Sequence, residues 1–372
     1  MRIAYLCADP GIPVLGHKGA SVHLRSLASA LQRHGHEVLL AASAVEGENP
    51  PPIGVVMVRL PDDPADATTW LTSGLRDWRA DVVLERYSLE SGPGERVARQ
   101  LGVPFVLEVN APLVDEAARF SGLTNIEAWR ARERGLLLAS DRVVAVSSGV
   151  RDHVLRAGVP PARVVVVHNG VDATLFAGGR GNAIRRRYGL RGMPVIGFAG
   201  SLKAWHGVRT LVLALAGLPE SVHLLVVGDG PQREDIEALA TTLDVSGRLR
   251  MAGAVPHDRM PDYLAAMDIA VAPYEPQPGF YFSPLKVIEY MAAGLPVVAS
   301  DQGDLPDIVG DAGLLIPPGD EPALRDALSR LLTDERARRE MSFRARRRAR
   351  AMSWDSVARE VEGVLAPMLV SA

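Results

Sequence analysis

The chain has 372 residues, of which 47% are hydrophobic and 23% charged, and its formal net charge is −3. This length exceeds that of a single typical core and predicts two domains in an ordinary globular protein. The small net charge gives no reason to expect nucleic acid or an acidic membrane as the main partner. The single cysteine excludes an internal disulfide framework and a multi-cysteine metal site, so we expect a reducing, cytoplasmic location.

The beginning of the chain predicts a strand at residues 2–7, whose apolar run is too short for a signal peptide. No apolar run approaches the roughly 20 residues that a membrane-spanning helix needs. Apolar residues at helical spacing predict a helix at 20–34, and a second strand is predicted at 36–41. This strand–helix–strand order is typical of the opening of a parallel α/β sheet.

The loop at residues 9–19 is rich in Gly and Pro. It approaches a P-loop pattern but fails it, because His17 precedes Lys18 and no Ser or Thr follows that lysine directly. Gly16 and Gly19 still predict a flexible loop at the carboxyl end of a strand, which is the ligand side of such sheets. A purely structural turn is the alternative interpretation.

The rest of the chain repeats the alternation of strands and helices. Further strands in the first half are predicted at 54–58, 81–84, 104–109, 142–146 and 163–167. After a Gly-rich linker, strands are predicted at 195–198, 223–227, 248–252, 268–272, 296–300 and 313–316. The sequence therefore predicts two Rossmann-like units joined near residue 180. An arginine-rich helix at 336–350 is interpreted as a solvated surface helix, with weak peripheral membrane contact as the alternative.

Residues 280–301 contain the clearest candidate for ligand binding. Ser283 and Pro284 predict a helix start there, and Gly294 its end. A helix N-terminus favours phosphate, and Lys286 would add a positive charge one turn in. Glu289 follows one turn later and could accept hydrogen bonds from ribose hydroxyls. A capped surface helix with a Lys–Glu ion pair is the alternative.

Two stretches resemble retaining GT-B glycosyltransferases of family 4, and the resemblance covers nearly the whole chain. One runs from Ser283-Pro-Leu-Lys to Ala292-Ala-Gly-Leu-Pro-Val-Val-Ala, and the other is Asn169-Gly-Val-Asp followed by Phe176. The resemblance implies an α/β protein of GT-B architecture, with a donor cleft between two Rossmann-like domains. It implies a hexosyltransferase that moves a sugar from a nucleotide diphosphate donor to an acceptor hydroxyl with retention of configuration. No cofactor or metal is expected beyond the nucleotide-sugar co-substrate.

The resemblance also suggests site residues. The expected catalytic residues are Lys203, Lys286 and Glu289. Donor binding is expected at Gly16, Gly19, Ser201, His206, Gly228, Gly230, Val255, Tyr281, Phe282, Ser283, Pro284 and Leu285. On the acceptor side we expect His17, Glu85 and Asn110, although polar residues that cap the next helix are an equal interpretation of Glu85 and Glu108.

The sequence departs from the family pattern at four of these places. Family 4 proteins usually have Arg, Lys, His and Glu where this chain has Ser201, His206, Asn110 and Tyr281. Lys203 and Lys286 are therefore expected to share the charge on the donor diphosphate. Three alternatives stay open: an inverting GT-B transferase with His17 or His23 as general base, a GT-B sugar-nucleotide epimerase, and a non-catalytic nucleotide-sugar binder.

The expected domains are an acceptor-side domain at residues 1–177 and a nucleotide-sugar-binding domain at 178–352. Glycines at 178–181 are expected to act as a hinge. Residues 353–372 are expected to return to the N-terminal domain, because Trp354, Val357 and Val361 form an apolar stripe that needs a partner surface. The sequence leaves the oligomeric state, the donor base and the acceptor open.

Overall fold

A computed structural model describes residues 1–369 of the protein. The chain divides into two compact units, the first comprising residues 1–170, 281–283 and 354–369 and the second comprising 171–280 and 284–353. The division thus falls between Gly170 and Val171 rather than at the expected 177/178. Of the segment expected to return to the first unit, residues 370–372 lie outside the described residues.

The first unit is built around a parallel sheet in the order β3-β2-β1-β4-β5-β6-β7. Its interior strands are almost fully buried, as their continuous apolar sequences require. The strands are β1 (Arg2–Cys7), β2 (Glu37–Ala42), β3 (Val56–Arg59), β4 (Val82–Arg86), β5 (Phe105–Val109), β6 (Arg142–Ala145) and β7 (Val164–Val166). The helices between them are α1 (Gly19–Arg33), α2 (Pro64–Trp78), α3 (Pro93–Leu101), α4 (Leu113–Phe120), α5 (Ile126–Ala139) and α6 (Ser148–Arg156).

The second unit has its own parallel sheet in the order β10-β9-β8-β11-β12-β13. Its strands are β8 (Val195–Ala199), β9 (His223–Val227), β10 (Leu249–Gly253), β11 (Ile269–Ala272), β12 (Val297–Ser300) and β13 (Gly313–Ile316). Its helices are α7 (Ala173–Ala177), α8 (Gly181–Arg187), α9 (Val208–Ala216), α10 (Arg233–Thr242), α11 (Met260–Leu264), α12 (Leu285–Ala293), α13 (Leu305–Val309), α14 (Glu321–Thr333) and α15 (Glu335–Ala351). The α/β fold with two Rossmann-like units is therefore confirmed.

The last helix, α16 (Trp354–Leu369), lies in the first unit and packs on α1. Its apolar stripe is buried there, with Trp354 only 5% exposed and Leu365 fully buried. Arg33 of α1 donates to the carboxylate of Asp355 at 2.7 Å, and His36 lies 3.0 Å from Glu362. The polar rim of the helix thus adds specific contacts to its apolar face.

The expected linker of glycines at 178–181 does not exist as a free segment. Gly181 begins α8, and a Cβ on it would lie 2.1 Å from the carbonyl oxygen of Ala265. A Cβ on Gly179 would lie equally close, at 2.1 Å, to the carbonyl oxygen of Pro261. These glycines permit close packing of the backbone on α11, and residues 178–181 lie inside the second unit instead of linking the two units.

Other predicted elements agree closely with the structure. The helix predicted at 208–216 and the strands at 223–227 and 313–316 have the predicted bounds. The strand predicted at 81–84 instead runs to Arg86, and Glu108 lies inside β5. Glu85 and Glu108 are therefore strand residues and not loop residues. No helix within residues 1–369 is long and apolar enough to cross a membrane.

Candidate active site

Helix α12 begins one residue later than its sequence suggests. Pro284 occupies the N-cap position without a side-chain hydrogen bond, so the expected cap by Ser283 is wrong. Ser283 instead accepts at Oγ from the backbone N–H of Asn169 at 3.3 Å, and its carbonyl oxygen accepts from the Asn169 amide at 2.6 Å. Gly294 ends the helix in the left-handed region, as predicted.

Lys286 lies in the first turn of α12 and carries a buried, unsatisfied ammonium group. Its Nζ has no hydrogen-bond partner among the described residues. It lies 4.3 Å from the ring centroid of Phe198 and 5.3 Å from that of Tyr274. Burial lowers the pKa of Lys286 to about 7, and the nearby Glu289 carboxylate opposes that shift. Such an ammonium is prepared for an anionic ligand, because the ligand would supply the missing partner.

Glu289 lies one turn deeper and is 8% exposed. One carboxylate oxygen, Oε1, accepts a hydrogen bond from Nε2 of His257 at 2.8 Å. The ring of His257 is in turn packed edge-on against Phe176, with 5.5 Å between ring centroids. Within residues 1–369, the bond with His257 is the one hydrogen bond of this carboxylate, so its second oxygen, Oε2, is open to a ligand hydroxyl.

Two glycine loops lie beside Lys286 at the carboxyl ends of β8 and β9. A Cβ on Gly200 would fall 2.6 Å from Nζ of Lys286, and one on Gly228 would fall 1.9 Å from the carbonyl oxygen of Gly200. A Cβ on Gly230 would fall 2.7 Å from the backbone nitrogen of Leu202. All three glycines have positive φ, so only glycine fits this close backbone packing without strain.

The loop from β8 to α9 contains the two positions where family 4 usually has cations. Ser201 is exposed, and Nδ1 of His206 lies against its carbonyl and hydroxyl groups. Burial, followed by the charge of Lys286, lowers the pKa of His206 to about 3, so its ring is neutral at physiological pH. Lys203 is exposed, with Nζ 4.7 Å from the ring centroid of Trp205. Val255 is half-buried in the adjacent loop after β10.

A buried polar network occupies the first unit beneath its first helix. His23 is 4% exposed, with Nδ1 hydrogen-bonded to the side chain of Asn169 at 2.7 Å and Nε2 paired with Glu108. The Tyr5 hydroxyl donates to the other oxygen of Glu108 at 2.6 Å. Although burial opposes it, the His23 contact holds the pKa of Glu108 at about 2. Because His23 is buried and both of its ring nitrogens lie against protein groups, it is less suited than His17 to act as a general base.

The loop after β1 is fixed by side chains and is not free. The carbonyl oxygen of Gly16 accepts from Arg25 at 2.8 Å and from Asn49 at 2.9 Å. A Cβ on Gly16 would meet the Pro13 ring at 2.7 Å. Gly19 is the first residue of α1. These contacts favour the alternative interpretation of a structural turn, and the loop lies at the carboxyl end of β1, as predicted.

His17 is the more accessible of the two histidines considered as general bases. Its side chain is 41% exposed, and Nε2 lies 3.6 Å from a carboxylate oxygen of Glu48. The amide of Asn49 lies 3.2 Å from its Nδ1. The ring thus has a carboxylate neighbour and access to water, but its own contacts are all within the first unit.

Glu85 and Asn110, both expected on the acceptor side, have different surroundings. Glu85 is fully buried and accepts a hydrogen bond from the backbone N–H of Gly92 at 3.3 Å, at the start of α3. Burial raises the pKa of Glu85 to about 7. This agrees with the alternative that Glu85 caps the next helix. Asn110 is half-buried, and its Nδ2 has no hydrogen-bond partner among the described residues.

Tyr281 occupies the place of the usual first glutamate and belongs to the first unit. Burial, and then its hydrogen bond with Glu116, raise the pKa of the Tyr281 phenol. Its carbonyl oxygen accepts from the Ser147 hydroxyl at 2.6 Å, and its ring lies 4.3 Å from that of Phe282. The Tyr281 hydroxyl is therefore already engaged with a carboxylate of its own unit.

Sequence reasoning missed three residues of these clusters. No local pattern predicts the roles of His257 and the Asn169 side chain, because the contacts of both are made with residues distant in sequence. Arg86, at the end of β4, is only 8% exposed, and its Nε and Nη1 atoms have no hydrogen-bond partner within residues 1–369. A charged residue after an apolar strand was the available signal. In the described part of the chain, no three His, Cys, Asp or Glu side chains are grouped so that they could hold a metal ion.

Comparison with known proteins identifies the family. Residues 193–334 match the family described as Glycosyl transferases group 1, and residues 17–175 match Glycosyltransferase Family 4. A GDP-mannose-dependent alpha-mannosyltransferase from Mycolicibacterium smegmatis is 31% identical, over 98% of this chain and 96% of its own length. The chain belongs to glycosyltransferase family 4. The recognition made from the sequence motifs is thus confirmed.

Other relatives and solved structures agree with this family. A D-inositol 3-phosphate glycosyltransferase from Xylanimonas cellulosilytica is 29% identical, over 91% of this chain and 89% of that protein. HepE from Anabaena, solved in complex with UDP, has a TM-score of 0.80 at 18% identity, covering 99% of this chain and 100% of that chain. Sucrose-phosphate synthase from Thermosynechococcus elongatus has a TM-score of 0.80 at 23% identity, covering 100% of each chain. At these identities the solved structures establish the GT-B fold alone, and family membership makes the protein a glycosyltransferase.

Proposed function

We propose that this family 4 glycosyltransferase is a retaining hexosyltransferase that uses a nucleotide diphosphate sugar as its donor. The observation that carries the proposal is the buried ammonium of Lys286, which has no partner among residues 1–369 and lies against Gly200 at the start of α12. A diphosphate would satisfy this group and the free backbone N–H groups of the helix start. Glu289 then offers its open oxygen one turn deeper, where a ribose would follow the diphosphate.

The proposed reaction needs charge stabilisation on the leaving group. The bond between the anomeric carbon and the donor phosphate oxygen breaks, and a bond from the acceptor oxygen to the same face of that carbon forms. The acceptor proton passes to the leaving phosphate oxygen. Lys286 stabilises the charge that develops on the diphosphate, and Lys203 adds a mobile cation from the neighbouring loop. His206 is neutral and serves as a hydrogen-bonding group rather than as a cation.

The arrangement of the histidines favours retention over the inverting alternative. An inverting transferase needs a general base near the acceptor hydroxyl. Both ring nitrogens of His23 are occupied, by Asn169 and Glu108. His17 remains the one histidine of the two that could still serve, so a variant of it is the decisive control. We expect His17→Ala to keep its turnover, which an inverting enzyme with His17 as its general base would largely lose.

The donor assay should begin with GDP-mannose and UDP-glucose. The first is in the name of a relative that is 31% identical, and the HepE structure contains UDP. The purified chain is incubated with each donor and an acceptor panel, and release of the nucleoside diphosphate is measured with EDTA or with added Mg²⁺. We expect turnover in EDTA, because side chains carry the charge stabilisation. Proton NMR of the first product should give the donor's configuration.

Three results would contradict the proposal. Formation of an epimeric sugar without an acceptor would favour the epimerase, and donor binding without turnover on any acceptor would favour the non-catalytic binder. A β-linked product from an α-linked donor would favour the inverting enzyme. Turnover that EDTA abolishes and Mg²⁺ restores would contradict the metal-independent mechanism alone.

A further inference from the structure

The N-terminal unit contains a second group of buried donors without partners, and this group is outside the donor machinery. Arg86 is only 8% exposed, yet Nε and Nη1 of its guanidinium have no hydrogen-bond partner within the described residues. Leaving a buried charge unpaired costs several kcal/mol in general. Because ligands bind at the carboxyl ends of parallel strands, an unsatisfied buried donor at this edge indicates a binding site.

The sheet register places Arg86 among polar side chains of one face. Cys7 of β1 and Glu108 of β5 are its direct partners on either side in the parallel sheet. Asn110 follows Glu108 by two positions, the spacing that returns a side chain to the same face. Its Nδ2 is also buried and without a partner among residues 1–369. Two unsatisfied donors therefore lie at the carboxyl ends of adjacent strands.

Glu108 does not satisfy the arginine. Its two carboxylate oxygens are occupied by His23 and by the Tyr5 hydroxyl. The charge of Glu108 lowers the cost of burying the Arg86 guanidinium nearby, but Nε and Nη1 of that guanidinium still lack acceptors among residues 1–369. What they require is a ligand with oxygen acceptors and negative charge, since a guanidinium binds carboxylate and phosphate with matched geometry.

We propose that Arg86 and Asn110 bind an oxyanion, phosphate or carboxylate, carried by the acceptor. This inference rests on the proposed transferase function, because it assigns the acceptor to the N-terminal unit. It also predicts that the acceptor is an anionic compound rather than a neutral sugar or lipid alcohol. Neither residue belongs to the donor-binding set around Lys286.

The test uses thermal unfolding of the full chain in low-salt buffer. A saturating nucleoside diphosphate is present so that added anions cannot act through the donor site. Inorganic phosphate and acetate are then titrated separately as probes of the two oxyanions. In the wild type, the midpoint should rise by about 3–5 °C when phosphate or acetate exceeds its Kd tenfold. The nucleoside diphosphate gives its own shift, so failure of donor binding is recognised independently.

Two variants and one control identify the residues. Arg86→Met should abolish the anion shift, because the guanidinium that would bind the anion is removed. Asn110→Ala should weaken the anion shift several-fold and should fold even where the arginine variant does not. Arg76→Met, at an exposed arginine of α2, should behave as the wild type.

The proposal is overturned by either of two results. One is the absence of a shift with both phosphate and acetate in the wild type. The other is an undiminished shift in Arg86→Met or, where that variant does not fold, in Asn110→Ala. A response to one anion alone supports the proposal and decides between a phosphorylated and a carboxylated acceptor.

Discussion

Two opposing effects set the protonation state of Lys286 in the ligand-free protein. Its Nζ is surrounded by the rings of Phe198 and Tyr274 and lacks any hydrogen-bond acceptor in the described structure. Burial therefore disfavours the ammonium form, while Glu289 favours it. A diphosphate would shift this balance strongly toward the ammonium. The residue is thus suited to bind a charge that it does not meet in the ligand-free protein.

Donor affinity should consequently fall as pH rises through the pKa of Lys286, which burial lowers from 10.5 to about 7. The folded ligand-free protein loses this proton near pH 7, so above that pH donor binding must first take up a proton. The Kd for a nucleotide sugar should rise by up to about tenfold per pH unit above pH 7. Titration calorimetry from pH 6 to 9 measures it. Lys286→Arg should flatten the profile and Lys286→Ala should weaken binding at every pH; a flat wild-type profile would contradict this account.

The same lowered pKa affects stability with a defined sign. Between about pH 7 and 10.5 the unfolded chain holds the Lys286 proton and the folded chain does not. The contribution of this residue to the free energy of unfolding therefore increases with pH across that window. Binding sites typically contain residues that strengthen ligand binding but lower the stability of the ligand-free protein.

Glu289→Gln tests the ribose assignment. The substitution keeps the size of the side chain but removes the charge that pairs with His257 at 2.8 Å and that faces the proposed ribose. Donor affinity should fall by about 1–3 kcal/mol, the scale for hydrogen bonds to a charged group. Glu220→Gln, at an exposed position of the same unit, is the matched control. Equal nucleotide affinity in the two variants would mean that Glu289 does not bind the ribose.

At the scale of elements, the donor site depends on where strands end rather than on any single motif. The loops after β8 and β9 pack on one another through backbone hydrogen bonds, Gly200 N–H to the Val227 carbonyl at 2.8 Å and Leu202 N–H to the Asp229 carbonyl at 3.0 Å. Gly253, the last residue of β10, joins them through its bridge with Gly228. The ends of three consecutive strands thus form one surface beside the start of α12.

Gly200→Ala should disturb that surface specifically. The added Cβ would lie 2.6 Å from Nζ of Lys286, at a residue whose φ is +140°. The strain should cost about 1–3 kcal/mol and displace the lysine, so both the unfolding midpoint and the donor affinity should fall. Gly247→Ala is the control, because a Cβ added there would meet nothing within 4 Å. Wild-type donor affinity in Gly200→Ala would mean that donor binding does not depend on the observed position of Lys286.

The sequence was sufficient to predict the helices and strands, but not the side-chain contacts that join residues distant in sequence. Alternating strands and helices follow from local apolar patterns, so α9 and β9 could be located to the residue. The Glu289–His257 pair joins residues 32 apart, and the His23–Asn169 pair joins residues 146 apart. No local pattern reports such pairs. The cap at Ser283 failed for the same reason, because a distant asparagine competes for its hydroxyl.

The arginine-rich helix α15 gives a second example at this scale. Its sequence suggests a solvated helix, yet several arginines bind carbonyl oxygens at the ends of neighbouring helices. Arg346 donates to Ala293 at 3.5 Å and Arg348 donates to Ile308 at 3.2 Å. These arginines complete helix ends within the second unit, which favours the interpretation of a structural helix over one of membrane contact.

At the scale of the molecule, the N-terminal unit is assembled from both ends of the chain. Its sheet is complete by residue 166, yet α1 packs against the last helix of the chain. The His23 ring is packed edge-on against Trp354, with 5.2 Å between ring centroids. The buried ring of His23 is therefore covered by a residue more than three hundred positions later in the sequence.

Trp354→Ala in the full chain should consequently destabilise the N-terminal unit and leave the second unit intact. Removing a buried tryptophan costs about 3–5 kcal/mol, and here it would also open the His23 network to water. Hydrogen exchange should show faster exchange in α1 and β1, with β8 to β13 unchanged. Trp70→Ala, at a tryptophan that is 46% exposed on α2, should alter neither. If α1 keeps its protection in Trp354→Ala, or if the loss appears in β8 to β13 instead, the last helix does not complete the N-terminal unit.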